Sequence, residues 1–189
     1  MQDERTLISR CQRGDDEALA QLVDEHKRKV SNIIYRMTRD GDATEDLTQE
    51  VCLRVFRGLQ QFRGEASLST WIYRITHRVC LRELERRQRR GNQVEWNDEV
   101  GEWHLRGSTP DESPTGKEVE RVEMADAVAR WMEELPPHYR MVVSLYYIED
   151  RKYREITEIM NLPMGSVKTY LHRAKQFLRQ RVLEEGFVA

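Results

Sequence analysis

Arg74, Arg78, Arg82 and Arg86 recur at four-residue steps. On a helix of about 3.6 residues per turn this stripe drifts about 40° per step and winds slowly around one side. Like charges at that spacing repel by a few tenths of a kcal/mol per pair, and a polyanion lying along the stripe removes the repulsion. Arg87, Arg89 and Arg90 extend it, while Glu83 and Glu85 could instead make it an ordinary solvated face. A second basic run lies near the C-terminus, where residues 163–183 hold five Lys or Arg and no acid. Lys168, Thr169, His172, Arg173 and Gln176 lie opposite a stripe of Val167, Leu171, Ala174 and Leu178. Side chains of these types reach base edges and phosphates in a major groove. Ser166, near the start of the same helix, can reach a phosphate, which the backbone N–H groups there also favour.

A third cluster is acidic. Asp46, Gln49 and Glu50 stand at i, i+3 and i+4, opposite Leu47, Val51 and Val55. Carboxylates without a nucleophile, metal partner or pocket signature do not make a catalytic site. An acidic face with a glutamine suits docking of a basic partner helix. Cys11, Cys52 and Cys80 are odd in number and widely spaced, which opposes both a disulfide framework and a zinc site. They read as small buried thiols. No cofactor or metal is implied.

These clusters need long helices to position them. Residues 16–39 place Leu19, Leu22, Val23, Val30, Ile33, Ile34 and Met37 at three- and four-residue steps, and Asp40-Gly41-Asp42 breaks the run. Thr44 is a cap candidate for the next helix, with Leu47, Val51, Val55, Phe56 and Leu59 on its apolar side. Residues 62–67 read as a loop. Ser69 or Thr70 could cap a helix from Trp71 to about Arg90, apolar at Trp71, Ile72, Ile75 and Val79. Trp71 belongs to that core stripe, whereas Tyr73 fits either a core or a surface role.

Periodicity then stops. Residues 91–116 are rich in Gly and Pro and acidic, which predicts a flexible linker, long for the interior of one compact domain. Its Trp96 and Trp103 are unusual for a disordered segment and imply docking on this chain or a partner. Beyond it, Val119, Val122, Ala125, Val128, Ala129 and Met132 form a stripe that Leu135-Pro136-Pro137 ends. An apolar helix follows over 139–148. Tyr153–Met160, a turn at Asn161-Leu162-Pro163 and a helix from Gly165 to Leu183 fit a helix-turn-helix. The expected fold is all-α: two small helical domains over 1–90 and 117–189, joined by the 91–116 linker.

The overall charge hides this layout. The 189 residues sum to −2, yet residues 1–90 carry 18 basic and 15 acidic groups, and residues 91–125 carry 3 and 9. A near-neutral total therefore does not exclude nucleic acid. No apolar run approaches the roughly 18–20 residues of a membrane span. The polar N-terminus lacks a signal-type stretch, so a cytoplasmic, non-membrane protein is expected.

Together these motifs resemble bacterial RNA polymerase sigma factors of the extracytoplasmic-function (ECF) group, over about residues 16–90 and 117–184. Asp46-Leu47-Thr48-Gln49-Glu50 resembles the segment that binds the clamp helices of the polymerase largest subunit. Phe62-Arg63-Gly64-Glu65, then Ser69-Thr70-Trp71-Ile72-Tyr73-Arg74-Ile75, resembles the loop and helix that capture the −10 element. Leu135-Pro136 through Tyr146, Tyr153-Arg154-Glu155-Ile156 and Pro163 to Lys168 resemble the domain that reads the −35 element. The resemblance implies −10 contacts from Phe62, Arg63, Gly64, Ser67, Arg74, Arg78, Arg82 and Arg86, with loop 62–69 pocketing a flipped base. It implies −35 contacts from Ser166, Lys168, Thr169, His172, Arg173 and Gln176. Its partners would be core RNA polymerase through clamp helices and flap, promoter DNA, and an anti-sigma factor; the free chain would be a monomer and not an enzyme. Three positions depart from the family: Cys52 replaces a usual aromatic, Arg78 a frequent Asn, and Arg82 a frequent Asp. A DNA-binding regulator that is not a polymerase subunit, or a helical protein-binding adaptor, are the alternatives.

Overall fold

The computed structural model describes residues 4–91 and 118–187; within the latter, the side chains of 118–122 and 125 lie outside the description. The expected linker, with Trp96 and Trp103, lies outside the described residues apart from Gly91. The described residues form helices α1 (Glu4–Gln12), α2 (Asp16–Thr38), α3 (Gly41–Leu59), α4 (Leu68–Arg89), α5 (Glu118–Glu134), α6 (Pro137–Val143), α7 (Tyr153–Met160) and α8 (Met164–Glu184). A π-helical segment, Ser144–Ile148, continues α6. The all-α expectation holds. No helix among the described residues is long and apolar enough to cross a membrane.

The caps differ from the sequence expectation by a few residues. Asp40, not Thr44, caps α3, its carboxylate accepting from the Ala43 amide at 3.0 Å. Thr44 lies inside the helix and its hydroxyl bonds back to the Asp40 carbonyl at 2.6 Å. Ser67, not Ser69 or Thr70, caps α4 by accepting from the Thr70 amide. In both cases the true cap leads its helix by one more turn, because an extended residue with a short side-chain oxygen precedes it. Helix α1 has only Leu7 and Cys11 buried, too few for a repeat to show in the sequence.

Helices α2, α3 and α4 pack around Leu22, Ile33, Ile34, Val51, Leu59, Ile72 and Val79. In the C-terminal group, Ala127, Trp131 and Leu135 are the buried positions of α5. This departs from the expected stripe: Ala129 is exposed, and Val128 and Met132 are half-buried. Trp131 seats its indole N–H on the Glu185 carboxylate at 2.7 Å. Leu135-Pro136-Pro137 ends α5 as expected, and Pro137 opens α6. His138, Tyr139 and Tyr170 form a ring cluster, with centroids 4.5 to 4.8 Å apart, that holds α6 on α8. Cys11 and Cys80 are buried and Cys52 is half-buried; all three are free, and burial pushes the Cys80 thiol up to about 12.

The two groups pack against each other, α4 on α7 and α2 on α6. Arg140 is buried there. Its Nη2 donates to the Met37 carbonyl at the end of α2 at 3.2 Å, and Arg39 pairs with Glu133. Burial and the nearby Arg39 charge lower Arg140 to about 10. His77 of α4 is buried beside Arg78 and bonded to the Ile159 backbone of α7; burial first, then the Arg78 charge, lowers its pKa from 6.5 to about 4. The unfolded chain therefore binds the His77 proton first on acidification. The His77 contribution to stability should be full above the ordinary histidine pKa and fall between pH 6.5 and 4 by about 3 kcal/mol. Urea midpoints across that range should show this slope, and His77→Gln should flatten it.

Candidate nucleic-acid interface

Helix α8 presents the more open of the two basic faces. Val167, Leu171, Ala174 and Phe177 are buried against the rest of the C-terminal group. Phe177 takes the place expected of Leu178, which is half-buried. The opposite side leaves Lys168, Thr169, His172 and Arg173 exposed, with Ser166 and Gln176 half-buried. Arg173 is steadied by the Tyr139 hydroxyl at 3.4 Å, and the Thr169 hydroxyl bonds back to the Gly165 carbonyl. Asn161, at φ +53°, makes the left-handed turn that sets α8 across α7.

The arginines of α4 are not equivalent, which corrects the picture of a uniform stripe. Arg86 forks onto Glu83 at 2.8 and 2.9 Å, and Arg87 shares the same carboxylate at 2.8 Å. These donors hold Glu83 below the usual carboxylate range although it is buried. Arg87 also reaches Asp40 at 2.8 Å and the Thr38 carbonyl, so it fastens α4 to the α2–α3 junction. Arg82 lies 3.5 Å from Glu50. Arg74 donates through Nε to the Glu158 carbonyl of α7 at 3.1 Å. Arg78 stays exposed on the wall of a cleft of about 540 Å³ that also involves Arg74, Thr157, Asn161 and Pro163.

Loop 62–67 is braced from behind. Phe62 packs on Trp71 with centroids 5.1 Å apart. The Gln12 amide donates to the Leu59 and Phe62 carbonyls. Gly64, at φ +73°, turns the loop outward and leaves Arg63 and Gly64 exposed. Ser67 serves as the helix cap, so its hydroxyl is engaged by the backbone it starts.

On α3, Asp46 and Gln49 are exposed, and half-buried Glu50 is held by Arg54 at 2.5 Å. The same face carries Leu53 and Phe56, which are 56% and 54% exposed. Phe56 was expected on the core side with Val55. At about 100° per residue it lies a quarter turn away from Val55, and the i, i+3, i+4 continuation of Asp46 leads directly to Leu53 and Phe56. The spacing carries that signal, which the apolar type of Phe56 obscures, since exposed apolar side chains are common on protein surfaces.

With this geometry in view, comparison with known proteins decides the family. The Sigma-70 region 2 model matches residues 22–90 and the Sigma-70 region 4 model matches residues 125–178. The chain is 29% identical over 183 residues to the ECF RNA polymerase sigma factor SigW of Bacillus subtilis, covering 93% of this chain and 94% of that one. It is 29% identical over 180 residues to the ECF RNA polymerase sigma-E factor of Escherichia coli K12, covering 95% and 94%. The chain belongs to the sigma-70 family, in its ECF group. It is an alternative sigma factor, directing RNA polymerase in transcription initiation, and its family is not one of enzymes. Two solved structures share the fold. CnrH, in complex with the cytosolic domain of CnrY, has a TM-score of 0.66 at 20% identity over 97% of this chain and 99% of that one. The sigma factor RpoE of Bartonella quintana, in complex with the anti-sigma factor NepR, has a TM-score of 0.61 at 16% identity over 86% and 95%.

One glycine tests the bracing of this sigma factor's loop. A Cβ at Gly58 would stand 2.9 Å from Trp71 Cζ2, a rigid ring packed on Phe62. Gly58→Ala should therefore cost about 1–3 kcal/mol from overpacking. Urea midpoints should show the loss, and Trp71→Phe in the same chain should restore part of it.

Proposed function

We propose that this sigma factor divides its work by segment, with residues 1–90 binding core polymerase and the −10 element, 91–116 tethering, and 117–189 reading the −35 element. What carries the reading is the exposed basic face of α8, set by the α7–α8 turn with its apolar side buried. In this reading Lys168, Thr169, His172, Arg173 and Gln176 enter the major groove, and Ser166 meets a phosphate at the helix start. Asp46, Gln49 and Glu50 receive the basic clamp helices of the largest polymerase subunit, and the C-terminal group meets the flap. Phe62, Arg63, Gly64 and Ser67 line the pocket for a base leaving the stack, which costs a few kcal/mol that pocket contacts must offset. Arg74, Arg78, Arg82 and Arg86 follow the strand beside it. Arg82 and Arg86 reach it by exchanging Glu50 and Glu83 for phosphate, a swap of one charge-assisted bond for another. An anti-sigma protein covering these surfaces completes the proposal, supported by the complex of the similar Bartonella quintana RpoE with NepR.

Charge reversal separates a polymerase subunit from a plain DNA-binding regulator. Asp46→Lys with Gln49→Lys should weaken binding to core polymerase at least about tenfold, about 1.4 kcal/mol, measured by gel filtration or anisotropy. Duplex binding by α8 should be unchanged. Unaltered polymerase binding would remove the clamp assignment. Arg173→Ala should cost about 1–3 kcal/mol on the −35 duplex and relax discrimination at one base position. Equal weakening on every sequence would show a phosphate contact instead.

A further inference from the structure

The face of α4 that turns toward α7 is occupied by the chain itself. Tyr73, buried, donates its hydroxyl to the Glu149 carboxylate at 2.6 Å. The Thr70 hydroxyl donates to Glu155 at 3.2 Å. The Arg74 guanidinium lies 3.7 Å from the Glu158 carboxylate, besides its bond to the Glu158 carbonyl. Arg151 closes the cluster, donating to the Ser69 hydroxyl at 3.0 Å and lying over the Tyr73 ring. Hydroxyls of Thr and Tyr and the guanidinium of Arg are the groups that proteins put on phosphate oxygens. Here each of them meets a carboxylate of the C-terminal group.

We propose that Glu149, Glu155 and Glu158 are an internal stand-in for a DNA strand, holding the C-terminal group over α4 and masking its Thr70–Arg74 turn in the free chain. This rests on the reading of α4 as DNA-facing. The masking is partial: the face of α8 and the Arg78 side chain remain exposed, while Thr70, Tyr73 and Arg74 are engaged by the C-terminal group. A closed chain binds a strand through its open fraction only, so its apparent affinity falls by that fraction. The bonds across the seam are of the charge-assisted type that phosphates can replace, so strand and acids compete for the same donors.

Two variants of the full chain test this. Glu149→Ala removes the acceptor of the Tyr73 hydroxyl. Glu158→Lys, at a partly exposed position, repels Arg74 and keeps the core intact should the first variant misfold. Small-angle X-ray scattering, without DNA or polymerase, should give a larger radius of gyration for each. Anisotropy with a fluorescein-labelled single strand of mixed sequence should show binding tighten about tenfold, as expected when an open state of about 10% becomes dominant. Adding Arg78→Ala should remove most of that gain. An unchanged radius of gyration in both variants overturns the latch and leaves the DNA-facing reading of α4 untouched. Expansion without tighter strand binding overturns the masking; the reading of α4 as DNA-facing is judged separately by Arg78→Ala in the otherwise unaltered chain, which should weaken the residual strand binding if that reading holds.

Discussion

A carboxylate buried between two helical groups is the constraint around which this structure is arranged. Glu149 is only 7% exposed, and its side chain is satisfied by the Tyr73 hydroxyl from the other end of the sequence. Separating a buried acid from its partner is costly unless water or another donor replaces it at once. Closed, the seam leaves this acid satisfied, and opening it would require water to take the place of the Tyr73 hydroxyl. Arg140 obeys the same logic on the α2 side, where a buried guanidinium is held by backbone carbonyls. Its lowered pKa reflects how far it has been taken from water.

The helices themselves were legible because periodicity, prolines and left-handed turns are local signals. The breaks at Pro136–Pro137 and Asn161 follow from local backbone preference, whereas at the α2–α3 junction the left-handed residue is Arg39 and the readable signal is the capping carboxylate of Asp40. The caps were displaced because Thr44, Ser69 and Thr70 are also favoured cap types, so residue type alone does not single out Asp40 and Ser67; backbone geometry chooses among them. Trp131 has no local signature: its indole is matched by an acid 54 residues away, Glu185, which no local pattern links to it. Contacts between the groups were illegible for the same reason: Tyr73 and Glu149 are 76 positions apart.

The candidate surfaces show the same division. The face of α8 could be read from one helical repeat, since its buried and exposed sides alternate without long-range help. The arginines of α4 could be counted but not ranked. Glu83 engages Arg86 and Arg87, Glu50 engages Arg82, and Glu158 engages Arg74, so their availability depends on partners in three different helices. Arg74, Arg82, Arg86 and Arg87 each face an acid of the same chain, which is how a stripe of arginines coexists with a near-neutral total charge.

Promoter-directed transcription by core polymerase reconstituted with this chain is the most direct test of the account. Genomic fragments should give discrete transcripts whose start sites share an upstream pair of elements, and omission of the chain should abolish them. Transcripts that are absent, or unchanged without the chain, would contradict it.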